Sequence, residues 1–164
     1  MEHNSEIKAV VERFKTQLTD FYTGDSWVTD NFSEKVLSIE PGEALKKIQG
    51  HNHSIIELVG HIIAWRNFAL QKLTGNDDYD VENNSAVDWP APDDWDVIRR
   101  EFEVCQKNLF TAIENFPVDR WNNTVPGRNY SFIYLITGII QHDYYHYGQI
   151  GSVLAAIKKN ADII

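Results

Sequence analysis

One cysteine, Cys105, in 164 residues excludes any disulfide within the chain. Such sparse thiol usage fits a reducing compartment, with the cytoplasm as the expected location. Basic residues are also few: 15 Lys and Arg stand against 24 Asp and Glu, a formal net charge of −9. No Lys/Arg run is dense enough to offset that excess, so phosphate backbones and anionic lipid surfaces are repelled. Neither nucleic acid nor a membrane is expected as a partner. Long hydrophobic runs are missing too. The longest, Phe132 to Ile140, is interrupted by Tyr134, Thr137 and Gly138 and falls well short of the ~20 apolar residues that cross a bilayer. The opening MEHNSEIKAV lacks the basic and apolar regions of a secretory signal.

What is present is the balance of a folded protein, with 43% hydrophobic and 24% charged residues in a length suited to one substantial core. A single domain over residues 1–164 is expected. Four segments carry apolar residues at helical spacings of three and four. The first has Ile7, Val10, Phe14, Leu18 and Phe21 and stops near Gly24. The second has Ile55, Leu58, Ile62, Trp65, Ala69 and Leu73 and ends at Gly75, with Ser54 and Glu57 at capping-box spacing. The third runs from Trp95 to Phe116 and is stopped by Pro117. The fourth starts after Ser131 and has Phe132, Leu135 and Ile139, then two histidines, then Ile150, Val153 and Ile157. Nothing between them reads as a strand. The predicted fold is an all-α four-helix bundle whose long connections allow crossovers as well as antiparallel neighbours. Residues 23–53 hold short helical pieces, with Pro41 and Glu43 to Ile48 reading as a helix start. Residues 76–92 and 117–130 read as loops, the second placing Trp121 as a plug at one end of the bundle.

The fourth segment contains the anomaly. Its inward row gives two consecutive apolar places to His142 and His146. An unsatisfied buried imidazole costs on the order of 1–3 kcal/mol, so the pair needs a partner. Residues at i and i+4 lie side by side on a helix, with Cβ atoms about 5–6 Å apart, which lets two imidazoles converge on one cation. His61, between Leu58 and Trp65 on the inward face of the second segment, is the candidate third ligand. The plainer alternative is three core histidines with hydrogen-bond partners.

Two stretches, HSIIELVGHIIAW (residues 53–65) and QHDYYHYGQIGSVLAAIK (residues 141–158), resemble the DinB-like superfamily of four-helix-bundle metalloenzymes. In that family a helix-two histidine and an H-x-x-x-H-x-G-Q-type motif on helix four supply the metal. The matching positions here are His61, His142 and His146. Order and separation of the motifs fit over nearly the whole chain. The family includes bacillithiol and mycothiol S-transferases and a mycothiol-dependent maleylpyruvate isomerase, alongside many members of unassigned chemistry. The resemblance therefore implies a divalent metal, with thiol transfer as one reaction among others.

Three neutral imidazoles leave the charge of a bound Zn²⁺ or Ni²⁺ undiminished, which favours the deprotonated form of a water or thiol at its open position. The leading expectation is a metal-dependent thiol S-transferase or small-molecule hydrolase, with a low-molecular-weight thiol as one candidate substrate. The rival is a non-catalytic ligand- or metal-binding stress-response bundle. Either reading is compatible with a homodimer. Glu57, one turn before His61, is a candidate general base or imidazole anchor, against a plain helix-N-terminal role. Asp143 is a weaker anchor candidate, with a solvated surface carboxylate as the plainer reading. Trp65, Arg66, Tyr145 and Gln149 are candidate pocket residues, Arg66 as an attractor of anions or a surface ion-pair member. Gly138, Gly148 and Gly151 read as packing positions, Cys105 as a buried structural thiol, His51 and His53 as loop or cap residues, and His3 as a mobile N-terminal residue.

Overall fold

The computed structural model describes residues 2–27, 30–82 and 84–161, with side chains described over 4–27, 30–82 and 84–159. The side chain of His3 therefore lies outside the described residues. Four long helices, α1 (Glu2–Tyr22), α4 (Ile55–Thr74), α6 (Trp95–Asn115) and α7 (Phe132–Ala161), form an all-α bundle. Short helices α2 (Phe32–Leu37), α3 (Pro41–Ala44) and α5 (Ser85–Asp88) and a 3₁₀ turn, Val118–Arg120, lie in the connections. Among the described residues no strand forms, only an isolated bridge between Thr124 and Ser131.

Local chemistry sets the helix ends. At the start of α4, Ser54 and Glu57 close a reciprocal capping box, and Gly75, at φ 89°, ends the helix in the left-handed conformation that glycine adopts without a Cβ penalty. Asp94 caps α6, its side chain accepting from the Val97 amide, and Ser131 accepts from the Tyr134 amide at the start of α7. The expected helix from Pro41 is shorter than its apolar pattern suggested. It stops at Ala44, because the chain turns to send Ala44 and Ile48 into the core while Leu45 stays exposed.

Each of α4 and α1 packs against both α6 and α7, so α1 lies diagonally across from α4 and α6 across from α7. The two core clusters give the directions. One joins the first half of α4, the first half of α6 and the last half of α7; the other joins the opposite halves. Thus α4 and α6 run parallel, and α7 runs antiparallel to both. A parallel neighbour requires a connection as long as the bundle, which is the work of residues 75–94. This crossover lies along α4 so closely that a Cβ on Gly60 would meet Pro90 Cγ at 3.1 Å. At the far end Trp121 is fully buried against Phe14 and Phe116, the plug its position in the sequence suggested.

Candidate metal centre

α4 and α7 cross with their inward rows facing. His61 and His146 are buried there and His142 is half-buried. One ring nitrogen from each of the three lies within 4.8 Å of the other two, and His61 Nε2 and His142 Nε2 are 3.0 Å apart. The 3.0 Å contact is a hydrogen bond between the two rings, and small shifts bring the three nitrogens to the roughly 3.3 Å spacing of ligands bound tetrahedrally at about 2.0–2.1 Å from zinc.

The tautomers follow from the partners. His61 Nδ1 is 2.7 Å from the backbone carbonyl of Asp88 and 3.2 Å from its carboxylate. A carbonyl only accepts, so this nitrogen carries the proton and Nε2 presents its lone pair to the cluster. His146 repeats the arrangement, with Nδ1 donating to Gln149 Oε1 at 2.7 Å while the Gln149 amide donates to the Tyr145 hydroxyl at 3.1 Å. His142 differs: its Nδ1 is buried and has no hydrogen-bond partner among the described residues. Such a group costs about 1–3 kcal/mol, a cost for which the bundle core offers no compensation.

All three imidazoles are held neutral. Burial is the main cause at each. It lowers His142 to about 3, assisted by repulsion from His146, His61 and Arg66. It lowers His61 against the opposing pull of Asp88, and His146 against that of Gln149. Neutral imidazole is the form that binds a metal. Three such donors, two oriented by outer partners, suit a borderline-soft divalent ion, so the residues present fit the group.

The crossover connection covers the cluster. Trp89 stacks on His61 with centroids 3.8 Å apart and planes 7° apart, and His53 stacks on the opposite face of Trp89 at 3.6 Å and 12°. Asp88 also accepts from Trp65 Nε1 at 2.8 Å. Asp88, Trp89 and His53 were not anticipated as site residues. Asp88 acts first through its main-chain carbonyl, which no residue identity announces. The one available signal was an aromatic directly before Pro90 in an otherwise acidic loop.

Other anticipated residues divide. Trp65, Tyr145 and Gln149 border the histidines: the Trp65 ring is 5.7 Å from His142 and the exposed Tyr145 ring 4.9 Å from His146. Glu57 does not anchor an imidazole. Its carboxylate accepts from the Ser54 amide and hydroxyl and from Lys47, which is the helix-N-terminal role. Arg66 is not a pocket residue, since it is completely buried and bonds Asp143 Oδ2 at 3.0 Å and Gln106 Oε1 at 2.5 Å. Asp143, 1% exposed, is correspondingly neither a solvated carboxylate nor a bonded partner of His146. Cys105 is buried, and burial raises its thiol to about 11, the inert state expected of a structural cysteine. Gly138 and Gly148 do not serve close packing, because a Cβ on either meets nothing within 4 Å; on Gly151 it would approach only Lys35 Nζ, at 3.9 Å.

Beside His142 a cavity of about 200 Å³ opens between Trp65, Leu135, Ile139 and Tyr134. A second, more polar one of about 210 Å³ lies on the other side, near His51, His53, Gln149 and Ser152.

Fold and site together define a four-helix bundle whose core gathers three neutral histidines able to hold a metal ion. A sequence profile of the DinB superfamily matches residues 26–150, a span that contains all three histidines, and the chain belongs to that superfamily. No curated protein and no solved structure is found to match it.

Proposed function

We propose that His61, His142 and His146 bind one divalent metal ion, zinc or nickel, and that the protein is a metal-dependent enzyme acting on a small molecule. The reaction is either transfer of a low-molecular-weight thiol or hydrolysis. The observation that carries this reading is the convergence of three neutral imidazoles within 4.8 Å, next to a cavity that reaches His142. When bound, the ion supplies Lewis acidity and lowers the pKa of a thiol or water at its open position.

The chain's own residues set the conditions. Asp88 and Gln149 hold the Nδ1 protons of His61 and His146, which fixes both rings and directs each Nε2 inward. Trp89, stacked flat on His61, shields that ring from solvent. His142, the half-buried member of the three, stands on the approach from the cavity. Three protein ligands and one reachable side are the pattern of catalytic rather than structural sites.

The test is elemental analysis of untagged protein purified without chelator, beside the His142→Ala/His146→Ala variant. Roughly stoichiometric zinc or nickel in the wild type alone is expected. Absence of metal after remetallation would leave a non-catalytic bundle with hydrogen-bonded core histidines.

A further inference from the structure

We infer that the cavity beside His142 is the binding subsite for an apolar ring of the substrate, one substituted six-membered ring in size. This rests on the reading of the histidines as the reacting centre, and it specifies the class of molecule delivered there.

Three observations carry it. The first is shape and lining. At about 200 Å³ the cavity exceeds the roughly 150 Å³ that suffices for benzene in an apolar protein cavity. Its walls are Trp65, Leu135, Ile139 and the tyrosines Tyr130 and Tyr134, with His142 at one side. That is the mainly apolar and aromatic lining of small-molecule sites.

The second is Gly138, which also lines the cavity. A glycine inside a helix costs about 0.5–1 kcal/mol relative to alanine. At Gly138 neither backbone nor packing requires it: its φ is not positive, and an added Cβ would meet nothing within 4 Å. Its missing side chain leaves room in the cavity.

The third is the mouth. Tyr134 is 65% exposed although it is a large aromatic on a core-forming helix, and its ring lies 5.3 Å from that of Tyr130 with planes 38° apart. The pair forms an aromatic wall at the edge, suited to stacking or edge contacts with a planar guest. Trp65, whose Nε1 is held by Asp88, faces the cavity as a fixed plane. A ring seated there places its substituent toward His142 and the histidine cluster.

The test uses toluene and metal-free full-length protein, followed by NMR shifts of the Leu135 and Ile139 methyls and the Trp65 indole N–H. Saturable shifts at all three are expected. Gly138→Leu fills the cavity with a better helix former, so the fold persists while toluene affinity falls at least tenfold; Gly138→Ala gives a smaller loss. Absence of saturable shifts in the wild type, or equal affinity in folded Gly138→Leu, overturns the inference. A second arm uses zinc-loaded protein with phenylmethanethiol and ethanethiol. Preference for the aromatic thiol, lost in Gly138→Leu, is expected, and equal binding of the two thiols overturns the inference. Toluene binding without zinc binding would sink the metal reading alone, whereas zinc binding without toluene binding would sink the subsite alone.

Discussion

His61 and Arg66 stand little more than one turn apart on α4, and His142 and Asp143 are neighbours on α7, yet the two pairs meet opposite environments. Around Arg66 the charges are matched and sealed. Its guanidinium bonds Asp143 of α7 and Gln106 of α6, Gln106 donates to the Leu18 carbonyl of α1, and the Phe102 ring lies 4.5 Å from the guanidinium carbon. All four long helices are tied there. Around His61 the imidazoles are uncharged, and among the described residues the Asp88 carboxylate, 3.2 Å from Nδ1, has no buried cationic partner of the Arg66 kind. Two ring nitrogens face each other there, and one side reaches a cavity. The first arrangement uses polarity to hold helices in register; the second leaves donor capacity unspent.

Breaking the sealed cluster gives the largest effect. Arg66→Met leaves the Asp143 carboxylate buried without its counter-ion and is expected to cost about 3–5 kcal/mol of stability, read by urea unfolding. Arg66→Met/Asp143→Leu removes both charges and recovers most of that loss, since apolar replacement of a buried pair is often neutral. If the double variant is as unstable as the single one, the pair is not the source of the effect.

At the open cluster the ranking of fold against function reverses. Gln149→Leu removes the acceptor for His146 Nδ1 and is expected to weaken zinc binding 10–100-fold, as loss of such outer partners does, with little change in unfolding free energy. Competition with a chromophoric chelator measures it. His142→Leu abolishes tight zinc binding yet shifts the stability of the metal-free protein by less than about 1 kcal/mol, because it removes a buried Nδ1 without a partner together with the Nε2 hydrogen bond to His61.

Acid should reveal the same histidines. Above pH ~6.5, the ordinary imidazole value, folded and unfolded chains are both neutral at these positions and stability is fully present. Below it the unfolded chain binds protons that the folded, metal-free protein refuses, down to about 3 for His142. Stability therefore falls as pH drops from ~6.5 toward 3. The difference between wild type and His142→Leu isolates this slope from the carboxylates and should shrink the acid loss. The smallest effect belongs to Asp88→Ala, which keeps the main-chain carbonyl that holds His61 and loses the carboxylate that accepts from Trp65 and lies 3.2 Å from His61 Nδ1. About 0.5–1.5 kcal/mol is expected, with zinc affinity nearly intact.

The same contrast explains what could be read from the chain. His142 and His146 break an apolar row spaced at three and four, so their anomaly is visible without coordinates, and His61 breaks a second row. Helix ends at Ser54, Gly75, Pro117 and Ser131 are local chemistry and were equally legible. Arg66 and Asp143 were not, because a charged residue at a helix position reads as solvated unless its partner, 77 residues away, is known to face it. Glu57 fitted two roles at one spacing, and only Lys47 and Ser54 decided between them. The covering of His61 by Asp88 and Trp89 follows from the parallel packing of α4 and α6, which forces the 75–94 connection back along the bundle. Periodicity within each helix carries no information about that direction.

The most direct test of the central claim is X-ray absorption at the zinc edge of remetallated wild type and His142→Leu. Three imidazoles at about 2.0–2.1 Å in the wild type and two or none in the variant are predicted. A wild-type zinc shell without three imidazoles, or one unchanged in His142→Leu, would contradict the account.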